Sequence, residues 1–210
     1  MSGETPRAGS TAPVAASKAR ACMEAFLVST GLVAVAEIGD KTQLLALCLA
    51  ATWRRPVPIL LGILAATVLN HALAAVLGAV AGDWLEGPWM RWALGLAFLG
   101  FAAWALIPDK FDDCPPEDRA HSALKVFQAT AVAFFLVEMG DKTQVATAAL
   151  AARFQDVVLV TAGTTLGMML ANAPAVLIGE AAATRLPLKW IRYAAAAGFA
   201  AVGVWILLAG

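Results

Sequence analysis

Two copies of one short pattern carry most of the chemistry this chain can offer. Glu37-Ile38-Gly39-Asp40-Lys41-Thr42-Gln43 recurs as Glu138-Met139-Gly140-Asp141-Lys142-Thr143-Gln144. The oxygen donors in these segments are the carboxylates of Glu37, Asp40, Glu138 and Asp141, the hydroxyls of Thr42 and Thr143, and the amides of Gln43 and Gln144. Such a set suits a hard dication, Ca²⁺, Mg²⁺ or Mn²⁺. With every group ionised, the four carboxylates outweigh Lys41 and Lys142 by two negative charges, which one dication would balance. An ammonium has no lone pair, so the lysines read as counter-ions or gating partners rather than ligands. No thiolate belongs to the motif, and His71, the one nearby imidazole, is matched by Asn172 in the other half. Soft or zinc-like chemistry is therefore disfavoured.

The elements that must hold these groups are apolar. Of 210 residues, 60% are hydrophobic and 14% charged, against about a quarter charged in a soluble domain. Zero net charge argues against a nucleic-acid partner. Residues 1–20, rich in Ser, Thr, Ala, Gly and Pro, read as a disordered tail. Six apolar stretches follow, near 23–51, 57–82, 90–107, 125–152, 157–181 and 187–208. Each can supply the roughly 20 residues that cross a bilayer as a helix. The expected architecture is an all-α membrane protein of six transmembrane helices. Residues 21–107 and 125–210 form two three-helix units, and 108–124 is an acidic connector with Asp109, Asp112, Asp113, Glu117 and Asp118. That connector reads first as a solvated loop and second as a weak cation-collecting segment. Lys18 and Arg20 before an apolar run ending Ala34-Val35-Ala36 resemble a signal peptide. Glu24 interrupts that run and the same segment recurs at 135–151, so cleavage is not expected. Cys22, Cys48 and Cys114 are odd in number, match no zinc or disulfide framework, and read as incidental.

Glu37 and Glu138 stand 101 residues apart, and the same offset pairs Gly62 with Gly163, His71 with Asn172, Gly78 with Gly179, Phe98 with Phe199 and Trp104 with Trp205. A gapless offset across three helices implies a duplicated unit. Three crossings is an odd number, so the second unit enters from the opposite face. The expected result is an inverted repeat with a midplane site between the halves. On an unbroken helix Glu37 and Asp40 share a face, as do Glu138 and Asp141. Gly39 and Gly140 permit close helix approach or a local unwinding that frees carbonyls. A charged group at a helix centre costs about 2.5–3.5 kcal/mol on insertion scales, so these acids must be paired, protonated or cation-bound. Salt bridges alone leave the repeated excess of acid over base unexplained. Asn70, His71 and Asn172 either hydrogen-bond across helices or line the pathway. Glu180 reads as interfacial, and Trp84, Trp89, Trp92, Trp190 and Tyr193 as anchors at helix ends.

Five basic residues (Arg7, Lys18, Arg20, Arg91, Arg153) fall on the N-terminal side and eight (Arg54, Arg55, Lys110, Arg119, Lys125, Arg185, Lys189, Arg192) on the other. The positive-inside rule then places both termini outside and 108–124 in the cytoplasm.

The two hexapeptides starting at Glu37 and Glu138 resemble the paired E-x-G-D-[KR]-[TS] signatures of the GDT1 family of Mn²⁺/Ca²⁺ transporters, and no position in either departs from the pattern. The resemblance covers the chain after residue 20. It implies transport of Mn²⁺, with Ca²⁺ as a second cargo, in exchange for H⁺. It also implies metal binding by Glu37, Asp40, Glu138 and Asp141, with Gly39, Gly140, Lys41, Lys142, Thr42, Thr143, Gln43 and Gln144 in support. No resident cofactor is expected. The short chain is similar to bacterial members, which implies the inner membrane. Membrane lipid and a divalent cation are the expected partners, and monomer and oligomer both stay open. Two alternatives accompany this reading. One is an exporter of amino acids or small organic cations, since the family is grouped with lysine exporters. The other is a membrane-embedded enzyme, disfavoured because no nucleophile–base pair lies outside the motif.

Overall fold

The computed structural model describes residues 12–84, 87–108, 122–178 and 188–209. All the elements among them are helices: α1 Ala12–Glu37, α2 Lys41–Trp53, α3 Pro56–Trp84, α4 Pro88–Ala105, α5 Ala123–Glu138, α6 Lys142–Phe154, α7 Val157–Ile178 and α8 Leu188–Ala209. Four of these are long and apolar enough to cross a membrane: α1 (from Ala16), α3, α7 and α8. The pair α5 and α6, bent by 72° at its break, passes as a fifth. The tail expected over residues 1–20 is helical from Ala12, where Pro13 stands in the first turn and an alanine-rich run follows. Residues 1–11, Glu180 and nearly all of the acidic connector lie outside the described residues.

The repeat is visible in the backbone. Glu37 and Glu138 end α1 and α5, Lys41 and Lys142 begin α2 and α6, and Trp53 and Phe154 end them, each pair at the 101-residue offset. Arg54 (φ 51°) and Gln155 (φ 52°) both terminate the short helices in the left-handed region, each donating its backbone N–H to a carbonyl four residues earlier. The restarts differ. Pro56 opens α3 as a natural first-turn residue, whereas Asp156 caps α7 by accepting from the Leu159 N–H at 2.9 Å.

Packing follows the same exchange. α1 packs on α7 while α5 packs on α3; α2 touches α7 while α6 touches α3. Glycines make these approaches possible. A Cβ on Gly62 would lie 2.7 Å from Thr130 Cβ and 2.8 Å from the Phe127 carbonyl. A Cβ on Gly163 would lie 2.7 Å from the Phe26 carbonyl and 3.0 Å from Ser29 Cβ, the equivalent atoms of the other half. Gly78 faces the Ala148 backbone of α6 with no room for a methyl. α4 pairs with α8, where Phe98 meets its own repeat counterpart Phe199 at 6.4 Å between ring centroids.

Burial on α3 departs from that of a soluble helix, although Ile59, Ile63 and Ala75 are buried with its polar residues. α3 exposes Leu61, Leu69, Leu73 and Leu77 while it buries Thr67, Asn70 and His71 completely. Apolar-out and polar-in suits a helix with lipid on one side and a polar interior on the other. Trp89, Trp92, Trp190 and Tyr193 are exposed in the opening turns of α4 and α8. Cys48 is disulfide-bonded and Cys22 is free, which corrects the reading of all the cysteines as incidental; the unremarkable spacing hid the pairing because sequence separation says nothing about proximity in the fold.

The glycine contacts predict a graded response. Gly78→Ala and Gly163→Leu should destabilise by at least about 3 kcal/mol, the upper range for overpacking against backbone. Gly31→Ala and Gly100→Ala meet nothing within 4 Å and should be neutral. Thermal unfolding in detergent, scored by loss of the monodisperse peak, checks both.

Candidate cation site

Each motif is a break between two half-helices, so the expectation of Glu and Asp sharing one helical face is corrected. Gly39 (φ 83°) and Gly140 (φ 76°) take the left-handed conformation that lets the chain turn. Backbone N–H groups of Asp40 and Asp141 donate to the carbonyls of Glu37 and Glu138 at 3.1 and 3.0 Å, closing the turn. The glutamines hold it shut: Gln43 Oε1 accepts from the Gly39 N–H at 2.9 Å, and Gln144 Oε1 accepts from the Gly140 N–H at 2.7 Å. Each of those amide oxygens, expected in a supporting role, spends one of its two lone pairs on the backbone. Gln43 Nε2 also donates to the Ala171 carbonyl, tying α2 to α7.

Asp40 and Asp141 occupy the N-cap positions of α2 and α6, yet neither side chain caps its helix. A carboxylate there ordinarily accepts from the next turn. Here each faces the lysine of the other half. Lys142 Nζ donates to Asp40 Oδ1 at 2.7 Å, and Lys41 Nζ lies 2.9 Å from Asp141 Oδ1. The lysines are thus crossed counter-ions, and the two motifs meet. The crossing is uneven, with the Lys142–Asp40 pair almost fully buried and the Lys41 side chain 24% exposed.

Glu37 and Glu138 are fully buried at the ends of α1 and α5. Thr42 donates to Glu37 Oε2 at 2.6 Å, while Thr143 lies 3.4 Å from both Glu138 Oε2 and Asp141 Oδ2. Carboxylate oxygens of Glu37, Glu138 and Asp141 lie within 4.8 Å of one another. At that separation two ionised carboxylates repel by about 3–4 kcal/mol at an effective dielectric near 20. Glu37 Oε1 and Glu138 Oε1 have no hydrogen-bond partner in the protein. Buried acceptors left in that condition fit a cation as the missing partner. Asp40 is not in this group; its salt bridge to Lys142 makes a neutral pair. The excess charge of two then resides on Glu37, Glu138 and the Lys41–Asp141 pair.

Asn70, His71 and Asn172 are all fully buried. Asn70 Nδ2 donates to the Phe135 carbonyl across the α3–α5 contact at 3.1 Å. Asn172 Nδ2 donates within α7 to Met168. His71 Nε2 lies 3.9 Å from Glu138 Oε2. Sequence reasoning missed Ser29 and Thr130, buried at the two glycine contacts; the 101-residue offset, applied to every polar residue, finds them.

Comparison with known proteins adds an independent line. The profile of a family described as "Divalent cation/proton antiporter GDT1" matches residues 25–113 and 126–210. A protein of Vibrio cholerae named "Putative manganese exporter" is 47% identical over 188 residues, covering 89% of each chain. GDT1-like protein 4 of Arabidopsis thaliana is 34% identical over 84 residues, 40% of this chain and 36% of its own. No solved structure matches.

The crossed pairs predict a cycle. Asp40→Asn should destabilise by about 3–5 kcal/mol, the cost of breaking a buried ion pair. Lys142→Met combined with Asp40→Asn should recover most of that loss. Lys41→Met, removing a partly exposed group, should cost less than Lys142→Met. Denaturation of the four variants in detergent measures each arm.

Proposed function

Because this chain belongs to the GDT1 family of divalent cation/proton antiporters, a transporter family and not an enzyme family, we propose that it exports Mn²⁺ from the cytoplasm in exchange for H⁺, with Ca²⁺ as a second cargo. The observation that carries the reading is the buried cluster of Glu37, Glu138 and Asp141. Three carboxylates this close favour either one dication or bound protons, and the two occupants exclude each other by charge. That competition couples the two fluxes through one site. The Vibrio relative's name supports manganese as the cargo.

The six crossings are α1 with α2, α3, α4, α5 with α6, α7 and α8. In the inverted repeat, exchanging the halves interchanges Glu37 with Glu138, so both stay in the cluster, and replaces Asp141 there by Asp40. Asp141 then completes the site in this conformation and Asp40 in the opposite-facing one, which accounts for four acids serving one ion. The uneven burial of the two lysine–aspartate pairs supports such an asymmetric state. The basic-residue balance supports termini outside and a cytoplasmic 108–124 segment in a bacterial inner membrane. An exported amino acid would bring its own carboxylate to the acidic cluster, which disfavours the amino-acid form of the alternative.

Proteoliposomes with an imposed pH gradient test the proposal. The wild-type chain should drive Mn²⁺ movement, and Glu37→Gln or Glu138→Gln should each cut it by more than about 100-fold, beyond the range for groups that merely support ligands. Mn²⁺ flux indifferent to the gradient, or preserved in both variants, would sink the idea.

A further inference from the structure

The two halves are matched at every polar motif position but differ at His71, whose counterpart is Asn172. His71 projects from α3, the helix that packs on both α5 and α6. Its side chain is fully buried, and neither Nδ1 nor Nε2 has a hydrogen-bond partner in the protein. A buried imidazole with both nitrogens unsatisfied is costly as a packing residue, and an apolar side chain would serve packing better. Its Nε2 instead lies 3.9 Å from Glu138 Oε2, one of the three clustered carboxylates, although His71 stands outside the 4.8 Å group that Glu37, Glu138 and Asp141 form.

We infer that His71 is a specificity-determining ligand: its imidazole nitrogen joins Glu37, Glu138 and Asp141 around the transported ion and tilts selection toward a first-row transition dication over Ca²⁺ and Mg²⁺. This rests on the carboxylate cluster being the cation site. The spacing from Glu138 allows it, with a small inward shift of the imidazole toward Glu37 and Asp141. Ligands about 2.1 Å from an octahedral ion stand about 3.0 Å apart when adjacent and about 4.2 Å when opposite, and the 3.9 Å between His71 and Glu138 falls inside that span. The chemistry gives it a purpose. Carboxylates alone discriminate poorly among hard dications, whereas imidazole binds transition metals far better than it binds Ca²⁺ or Mg²⁺. Asn172 cannot replace it, because its amide nitrogen is spent on Met168 and its oxygen is another hard donor.

Pulsed electron paramagnetic resonance on the full chain loaded with Mn²⁺ in nanodiscs reads nitrogen ligation directly. Wild type should show the ¹⁴N coupling of a bound imidazole, and ¹⁵N-histidine labelling should shift it, a control that needs no variant to fold. His71→Asn should lose the coupling, bind Mn²⁺ more weakly, and lose preference for Mn²⁺ over Ca²⁺ by about 10–100-fold, the range over which single groups around a metal act. Mn²⁺ bound without directly coordinated nitrogen, or an unchanged Mn²⁺/Ca²⁺ preference in His71→Asn, overturns the inference and leaves the carboxylate site standing. Mn²⁺ binding that survives Glu138→Gln would instead overturn the carboxylate site, and this inference with it.

Discussion

Carboxylates do not sit in a low-dielectric interior without compensation, and that constraint shapes this chain. Each motif supplies two acids and one lysine, so neither motif is neutral alone. The structure meets part of the deficit by crossing: the lysine of each half reaches the aspartate of the other, at 2.7 and 2.9 Å. Neither lysine serves its own half's aspartate in these pairs, so the two motifs hold each other in place. Once the crossed pairs are counted, the uncompensated charge falls on Glu37 and Glu138, whose buried Oε1 atoms have no hydrogen-bond partner in the protein.

That electrostatic demand explains the local backbone. A continuous helix at the motif would keep its amides and carbonyls bonded to each other and would fix the acids on one face. The breaks at Gly39 and Gly140 bring a helix C-terminus and a helix N-terminus together at each motif. Carbonyl ends favour a cation and amide ends favour a carboxylate. Glu37 and Glu138 close the first half-helices, and Asp40 and Asp141 open the second ones. Close helix packing through Gly62, Gly78 and Gly163 then brings these termini within reach of the opposite half.

Much of this was legible in the residues, for a physical reason in each case. The 101-residue offset exposed the duplication because both copies keep their polar residues against a uniformly apolar background. The oxygen-only donor set and the charge excess pointed to a hard dication without coordinates. The paired glycines raised local unwinding as an option, but the sequence could not choose it over close packing, since both need a missing Cβ. Which lysine meets which aspartate was not legible, because pairing across the halves is a tertiary fact. The glutamines read as oxygen donors by atom type; their bond to their own turn, a four-residue contact that only the broken helix creates, was not legible. Cys48 shows the same limit, since an odd set of dispersed cysteines carries no trace of which of them lie near each other. The helical start at Ala12 was hidden by composition: Ser and Gly suggested disorder while Ala and Pro13 set the first turn.

The central claim is that the two motifs form one cation site rather than two. Equilibrium binding of Mn²⁺ to the purified chain, counted as ions bound per chain, tests it most directly. The account predicts a single high-affinity ion, lost when either Glu37 or Glu138 alone becomes glutamine. Two ions per chain, with one surviving each single substitution, would contradict it.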